Sequence, residues 1–599
     1  MDESLTGVAA NAGGERTLTE TIRGAVAAAR RALAAHRAES LAACLLLLMA
    51  VNLFSVIWRK TITNDEFVHI PAGYYHLVEG NFHLNNEHPP LVKMWAALPL
   101  LFVQPNEPPP PKLDDANFMG QTWARQEVFW PVNREYFQAV TFWPRVWMLP
   151  VALALGALIF VYTRKLFGSR AAVLSVALYS FEPNFLAHGR VVHTDVAAAL
   201  VYLLFFYTLH AYTEAPTLRR AAWLGLVCGL ALSTKFSMIV LLPLLVALSI
   251  VGVVLAARRG EPRLRPLLHA ALALVIALLI VNAAYYFQSP ALEESDVKWV
   301  ATKSAPIFHQ LIFAFDWLSR ILPTYFLFGL YNVVVHNHYG HAASLFGMHS
   351  DLGWWYYFPV AFALKTTLPF LLLSIAALAW AVFRLVRRGE RRMLALLLPL
   401  ALYLLISLTS HINIGIRHFL PVFPFLFIMG GALLEHLLRR ERMRRAGALL
   451  VAVTLGWIIF EAARAYPDYV PYMNQLASGR PHWQLLSDSN VEWGDDTNAL
   501  AAYLRARGET RLRAALSGAW GTLRFFGVEY IDLLDTSGKP LPETRYVAIG
   551  AGFLNGSTIP GGFKGRETTE ERVNFLARYR DRKPEAVFGN SIYLYREHE

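Results

Sequence analysis

Two carboxylates, Asp65 and Glu66, stand side by side a few residues after an apolar run that ends near residue 58. Neighbours on a helix diverge by about 100°, so these two acids serve different partners. One reading is local: Thr63 and Glu66 have capping-box spacing, and acids favour a helix start. Position argues for more, because ionisable groups at membrane depth are costly and mark function. A second cluster follows at Glu87, His88, Pro89, Pro90 and Lys93. The proline pair makes a stiff entry to the next helix. Lys93, in the first turn of that helix beside free backbone N–H groups, is suited to an anion. The alternative is a lysine that snorkels to the interface.

The elements that must position these groups are membrane helices. The 599 residues are 55% hydrophobic and 17% charged, against about 45–50% and about 25% in a soluble domain. That excess predicts a polytopic α-helical membrane protein. The net charge of +11 does not point to nucleic acid, because the arginines cluster in short loops between apolar segments. Cys44 and Cys228 lie in apolar runs and offer no disulfide framework or metal spacing.

Residues 1–40 read as a basic amphipathic segment on the cytoplasmic surface. Residues 41–464 read as a transmembrane domain with about eleven spans of roughly 20 residues. These lie near 41–58, 139–161, 171–188, 194–212, 221–234, 236–256, 267–287, 356–386, 392–410, 418–438 and 446–463. The loops TRKLFGSR, EAPTLRR, ARRGEPRLR, FRLVRRGERR and LLRRERMRR are strongly basic and alternate with loops that are not. The positive-inside rule puts them, and the N-terminus, in the cytoplasm. The outer face then holds 59–138, the turns near 188–193 and 235, the loop 288–355, the turn SHINIGIRH and everything after about 464. No nucleotide pool is expected there, and no P-loop or strand-borne GxGxxG is found. An outward-facing enzyme of this kind must take its activated group from a lipid. Residues 465–599 alternate helix and strand patterns (GDDTNALAAYLRARGE, RLRAALSG, RYVAIGAG, TEERVNFLARYRD, SIYLYR) and predict a small α/β domain outside the membrane.

The acidic pair with its following glycine (DEFVHIPAGYYHLVEG) and HPPLVK resemble the protein O-mannosyltransferases and their bacterial relatives. These are glycosyltransferases of the C-type membrane fold, GT-C, that use a polyprenyl-phosphate sugar. The wider group includes the enzyme that transfers aminoarabinose to lipid A. HGRVVHTDVAAAL resembles the second acidic motif. GWWYYFPVAFALKTTLP, NIGIRHFLPVFPFLFIMGG and LSDSNVEWGDD are similar to later segments of bacterial members. The resemblance covers most of residues 40–500.

It implies an inverting transfer of sugar from a polyprenyl-phosphate donor to an acceptor hydroxyl at the outer face, in a bacterial inner membrane. A base must take the acceptor proton, and cations must stabilise the leaving phosphate. Asp65 aligns with the catalytic acid. Glu66 is given a supporting role, in acceptor binding or in orienting a neighbour. Asp195 is implied to position acceptor or sugar hydroxyls; the alternative is an ion pair with Arg190. Arg145 is the leading phosphate candidate, with Lys93, Arg190, Lys235, Arg417 and His418 at other outer helix ends. Each could equally be an interface anchor. His69, Glu87 and His88 are expected to line the cavity. His88 follows the O-mannosyltransferase pattern, since lipid A relatives carry lysine there.

The resemblance implies no cofactor. HNHYGH (His336, His338, His341) holds open a structural divalent metal, although its spacing matches no standard zinc pattern. The expected partners are the lipid donor, membrane lipids and an acceptor that is a protein, a lipid or a glycan. The loop 288–355 is read as interfacial helices over the cavity, or as one more span. A polytopic transporter or flippase of lipid-linked sugar is the competing class, but its site belongs near the bilayer midplane.

Overall fold

The computed structural model describes residues 36–107, 128–303, 305–441, 444–535, 540–559 and 568–597. Most of the basic N-terminal segment lies outside these residues. Among the described residues nine helices are long and apolar enough to cross a membrane: Arg37–Arg59, Phe137–Phe167, Asp195–Glu214, Phe236–Arg258, Leu264–Ala284, Leu368–Arg388, Arg391–Leu408, Ile416–Arg439 and Arg444–Ala465. Their lipid-facing sides carry exposed apolar residues such as Leu47, Val246, Ile250, Leu279, Ile375 and Leu449. Ile416–Arg439 is the most buried of the nine.

Two of the eleven expected spans are shorter helices. The 171–188 stretch becomes Ser169–Ser180 and then Pro183–His188, broken before the Glu182–Pro183 step. The 221–234 stretch becomes Leu218–Leu232. At 1.5 Å per residue neither reaches the roughly 30 Å of a bilayer core. Both are nevertheless packed into the bundle. Gly225 and Gly229 bring Leu218–Leu232 against Leu264–Ala284 so closely that a Cβ at Gly229 would stand 2.9 Å from the Ala277 carbonyl oxygen. Small residues at this spacing are a common means of close helix approach in membranes.

The span expected over 356–386 is two helices, Tyr357–Lys365 and Leu368–Arg388. Thr366 and Thr367 are extended, and Pro369 opens the second helix, so the break follows from the sequence KTTLP. The carbonyls freed there are not left bare. Asn474 Nδ2 donates to Ala363 and Thr366 oxygens at 2.6 Å each, and Asn184 Nδ2 donates to Lys365 oxygen at 2.9 Å. Irregular backbone inside a membrane protein survives only with such partners.

The loop 288–355 folds into three helices, Glu294–Ala301, Pro306–Leu318 and Thr324–Tyr339, followed by a hairpin of β1 (Ala343–Leu345) and β2 (Met348–Ser350). Residues 465–599 carry a five-stranded sheet in the order β4-β3-β5-β7-β6. Its strands are β3 (Arg511–Ala515), β4 (Glu529–Asp532), β5 (Tyr546–Gly550), β6 (Ala586–Phe588) and β7 (Ile592–Arg596). β3 runs parallel to β4 and β5, while β7 is antiparallel to β5 and β6. The expected helix in TEERVNFLARYRD is only Thr569–Asn574, followed by a 3-10 turn at Ala577–Tyr579. The basic loops meet one another, as Arg164 with Glu39, Lys165 with Glu214, Arg265 with Pro216 O and Arg392 with Leu166 O, while the segments 60–66 and 190–195 meet the start of the sheet domain.

Candidate active site at one end of the bundle

Asp65 and Glu66 open the helix Asn64–Val78, whose N-cap is Thr63. The capping box is present: Thr63 N–H donates to Glu66 Oε2 at 2.7 Å, and Glu66 N–H to Thr63 Oγ1 at 3.4 Å. Glu66 Oε1 accepts from Val192 N–H at 3.0 Å and lies 3.6 Å from Arg145 Nε. With its side chain 0% exposed, Glu66 is a fastener between the start of the helix Asn64–Val78 and the 189–194 turn.

Asp65, one residue earlier, points elsewhere. Its Oδ2 forms an ion pair with Arg417 Nη1, and its Oδ1 accepts from Trp493 Nε1–H at 3.1 Å. The Asp65 side chain is 19% exposed. Burial alone would raise its carboxyl, but Arg417 above all, with His69 and Trp493, outweighs that and holds it down to about 2. The Arg417 guanidinium also lies 4.5 Å over the Trp493 ring.

Asp195 begins the helix Asp195–Glu214 and pairs with Lys235, not with its sequence neighbour Arg190. Asp195 N–H donates to His193 Nδ1 at 2.9 Å, which leaves the His193 proton on Nε2 when the ring is neutral. His69 Nδ1 meets the Val192 carbonyl at 2.9 Å, and its ring lies 5.6 Å from that of His88. Burial pushes His69 down to about 4 and His88 well below its ordinary value, where Lys235 and Lys93 add to the effect. Glu87 stays open to solvent, while the surrounding protein and the Asp65 charge raise its carboxyl. His418 joins the same field, beside Lys235 and Asp195. Asp65, His69, Glu87, His88, Asp195, Lys235, Arg417 and His418 thus form one compartment.

Lys93 is buried and spends its Nζ on the preceding turn. It donates to Asn85 O at 2.5 Å, to Asn85 Oδ1 at 3.1 Å and to His88 O at 2.9 Å. Burial pushes it down to about 7, against the pull of Glu87. A Cβ at Gly73 would collide with the Lys93 carbonyl, so that glycine permits the close approach of the helices Asn64–Val78 and Leu91–Ala97.

Arg145 and Arg190 lie on the other side of Glu66. Arg145 Nη1 donates to Lys60 O at 2.9 Å, and Arg190 Nη2 pairs with Asp495 Oδ2 at 2.5 Å. Lys60 pairs with both Asp468 and Asp496. Thr61 N–H donates to Asp495 O at 3.1 Å and Asn64 N–H to Trp493 O at 2.8 Å. This is the joint between bundle and sheet domain. Among the described residues, buried Arg145 Nε and Nη2 and Arg190 Nε and Nη1 have no hydrogen-bond partner there. Arg145 also borders a cleft of about 480 Å³ lined by Trp58, Lys60, Thr61, Gln138, Phe142, Asn498 and Phe526.

The histidines of HNHYGH do not gather. His336 Nε2 and His341 Nδ1 are 3.1 Å apart, but the His338 ring turns to Phe308 at 5.3 Å. Among the described residues no group of three or more His, Cys, Asp or Glu is placed to hold a metal ion. Sequence reasoning assigned no role to Trp493, Asp495, Asp496 or Lys60. The segment LSDSNVEWGDD was the available signal, but Asp65, Arg190 and Lys60, which it meets, lie more than 300 residues away.

Residues 137–286 match the family described as dolichyl-phosphate-mannose-protein mannosyltransferase. No curated protein sequence matches the chain significantly. Among solved structures, ArnT from Cupriavidus metallidurans bound to undecaprenyl phosphate is similar at 13% identity and a TM-score of 0.47, over 92% of this chain and 97% of that one. The apo Archaeoglobus fulgidus oligosaccharyltransferase is similar at 11% identity and a TM-score of 0.47, over 82% of this chain. This chain spans 64% of the length of that protein. The S. cerevisiae protein O-mannosyltransferase Pmt1-Pmt2 complex bound to the sugar donor is similar at 16% identity and a TM-score of 0.31, over 42% of this chain and 33% of that one. The chain is a membrane protein that resembles the protein mannosyltransferase family over 137–286, the stretch that carries Arg145, Arg190, Asp195 and Lys235.

Proposed function

We propose that the chain is a polyprenyl-phosphate-sugar-dependent glycosyltransferase that works at the outer face of the membrane. The observation that carries this reading is the Asp65 compartment: an ionised acid, two cations and neutral imidazoles gathered at the ends of helices. The basic loops at the far end mark the cytoplasmic side.

Asp65 is the general base. In the resting protein Arg417 masks its Oδ2. Arrival of a donor phosphate draws the guanidinium to the new anion, for which an Arg fork is well shaped. Asp65 then loses its strongest partner and becomes a better base. The acceptor O–H gives its proton to Asp65 as the acceptor oxygen attacks the anomeric carbon. The bond from that carbon to the phosphate oxygen breaks, and its electron pair leaves with the polyprenyl phosphate. Arg417 and Lys235 meet the growing charge. Asp195 holds Lys235 in place and contributes an oxygen to sugar or acceptor hydroxyls. Glu66 keeps the base at its helix start. Arg145, the leading phosphate candidate on sequence, and Arg190, a further one, act at the domain joint.

The test is transfer from defined donors. Purified protein is incubated with radiolabelled polyprenyl-phosphate sugars and a membrane extract, and label is followed into water or a non-donor product. Label release supports the proposal. Donor that stays intact with every sugar, in the presence of folded protein, defeats it and favours a transporter of the same lipids.

A further inference from the structure

The segment 487–496 leads into the sheet domain, yet Trp493 lies in the wall of the Asp65 compartment. It is 3% exposed. Its Nε1–H donates to Asp65 Oδ1, while Arg417 covers one ring face. The rings of His188 and His193 stand 5.5 and 5.3 Å away. Its backbone is pinned at both sides. Asn64 N–H binds its carbonyl, and Asp495 and Asp496 close their pairs with Arg190 and Lys60 two and three residues later. Gly494 makes the turn between them at φ +94, where a Cβ would stand 2.7 Å from Ser517 O. An L side chain is strained there.

We infer that Trp493 is a positioning residue for the transfer: its indole N–H fixes Asp65 Oδ1 so that Oδ2 is the oxygen that accepts the proton, and its ring face holds Arg417 alongside. The inference rests on the assignment of Asp65 as base. A neutral donor orients a carboxylate without cancelling its charge. When phosphate draws Arg417 away, the indole remains, and the carboxylate keeps its aim. The ring gives the guanidinium a resting place with its charge intact. The sheet domain thus completes the active site, through a residue 428 positions from the base.

The test replaces the N–H alone. Benzothienylalanine at position 493 puts sulfur where the ring N–H was and keeps the shape; Trp493→Phe is the natural companion variant. A hydrogen bond to a charged group corresponds to roughly tenfold or more in rate, so kcat for transfer is expected to fall by about that factor. Donor Kd and KM should stay within about twofold of the unaltered protein. In an Asp65→Asn background the same replacement should change the residual rate by less than about twofold, because coupled residues are not additive. Unchanged kcat overturns the inference. So does an equal loss in both backgrounds, which assigns Trp493 to general packing. If Trp493→Phe fails to fold, the isosteric protein carries the comparison alone. Absence of transfer by the unaltered protein overturns the assigned function first, and is seen before any variant is made.

Discussion

Two charge-rich regions flank the start of the helix Asn64–Val78, and they are built differently. On the Glu66 side the charges are closed off. Arg190 and Asp495 are 1% and 3% exposed, and Lys60 sits between Asp468 and Asp496. On the Asp65 side the acid keeps contact with solvent, and Glu87 is open. His69 and His88 are held neutral by burial. The first arrangement fixes two domains to each other. The second leaves groups that can exchange partners. One residue step, about 100° around a helix, separates an acid closed into the joint from the acid proposed as the base.

Substitutions in the adjacent acids should therefore diverge. Asp65→Asn is expected to lower transfer by about 10²- to 10⁴-fold, with the melting temperature nearly unchanged. At the joint, Arg190→Ala strands the Asp495 carboxylate and should cost about 3–5 kcal/mol of stability, read by thermal unfolding in detergent. Adding Asp495→Leu to an Arg190→Met change should recover much of that loss, since an apolar pair leaves no charge stranded. Glu66→Gln turns an amide N–H₂ toward a backbone N–H and is expected to cost about 1–3 kcal/mol. Recovery of full activity in Glu66→Gln once the protein is cooled would sharpen the contrast; irreversible loss of kcat with intact folding would break it.

The smallest expected effect is a pH slope from Lys93. Its folded value, about 7, lies below its ordinary 10.5 because of burial. Between those values the unfolded chain binds a proton that the folded chain does not. Stability from this group therefore rises with pH from about 7 upward. The stability difference between the unaltered protein and Lys93→Met should shift toward the unaltered protein as pH increases through that window. A flat difference would show that Lys93 does not titrate there.

Much of this arrangement was legible in the sequence, and the reasons for the rest are physical. Apolar length fixes where helices cross, so the long spans are visible in the composition alone. The divergence of Asp65 and Glu66 follows from helix geometry, and the Thr63 capping box from spacing. Breaks were harder. KTTLP carries a break signal, but the apolar run around it hides the signal, and the asparagines that satisfy the freed carbonyls come from distant segments. The short strands β4 and β6 lie at sheet edges and have too few residues for an alternating pattern to show. Pairings were hardest. Arg190 and Asp195 are five residues apart, yet the turn between them sends one to Asp495 and the other to Lys235. No local rule announces that Trp493 reaches Asp65.

The most direct measurement compares the unaltered protein with Asp65→Asn for both donor binding and sugar transfer, using one radiolabelled polyprenyl-phosphate sugar that the unaltered protein consumes. The account predicts that both proteins bind the donor and that Asp65→Asn transfers the sugar at least about 10²-fold more slowly. Transfer at equal rates by the two would contradict it, and would remove Asp65 from the chemistry.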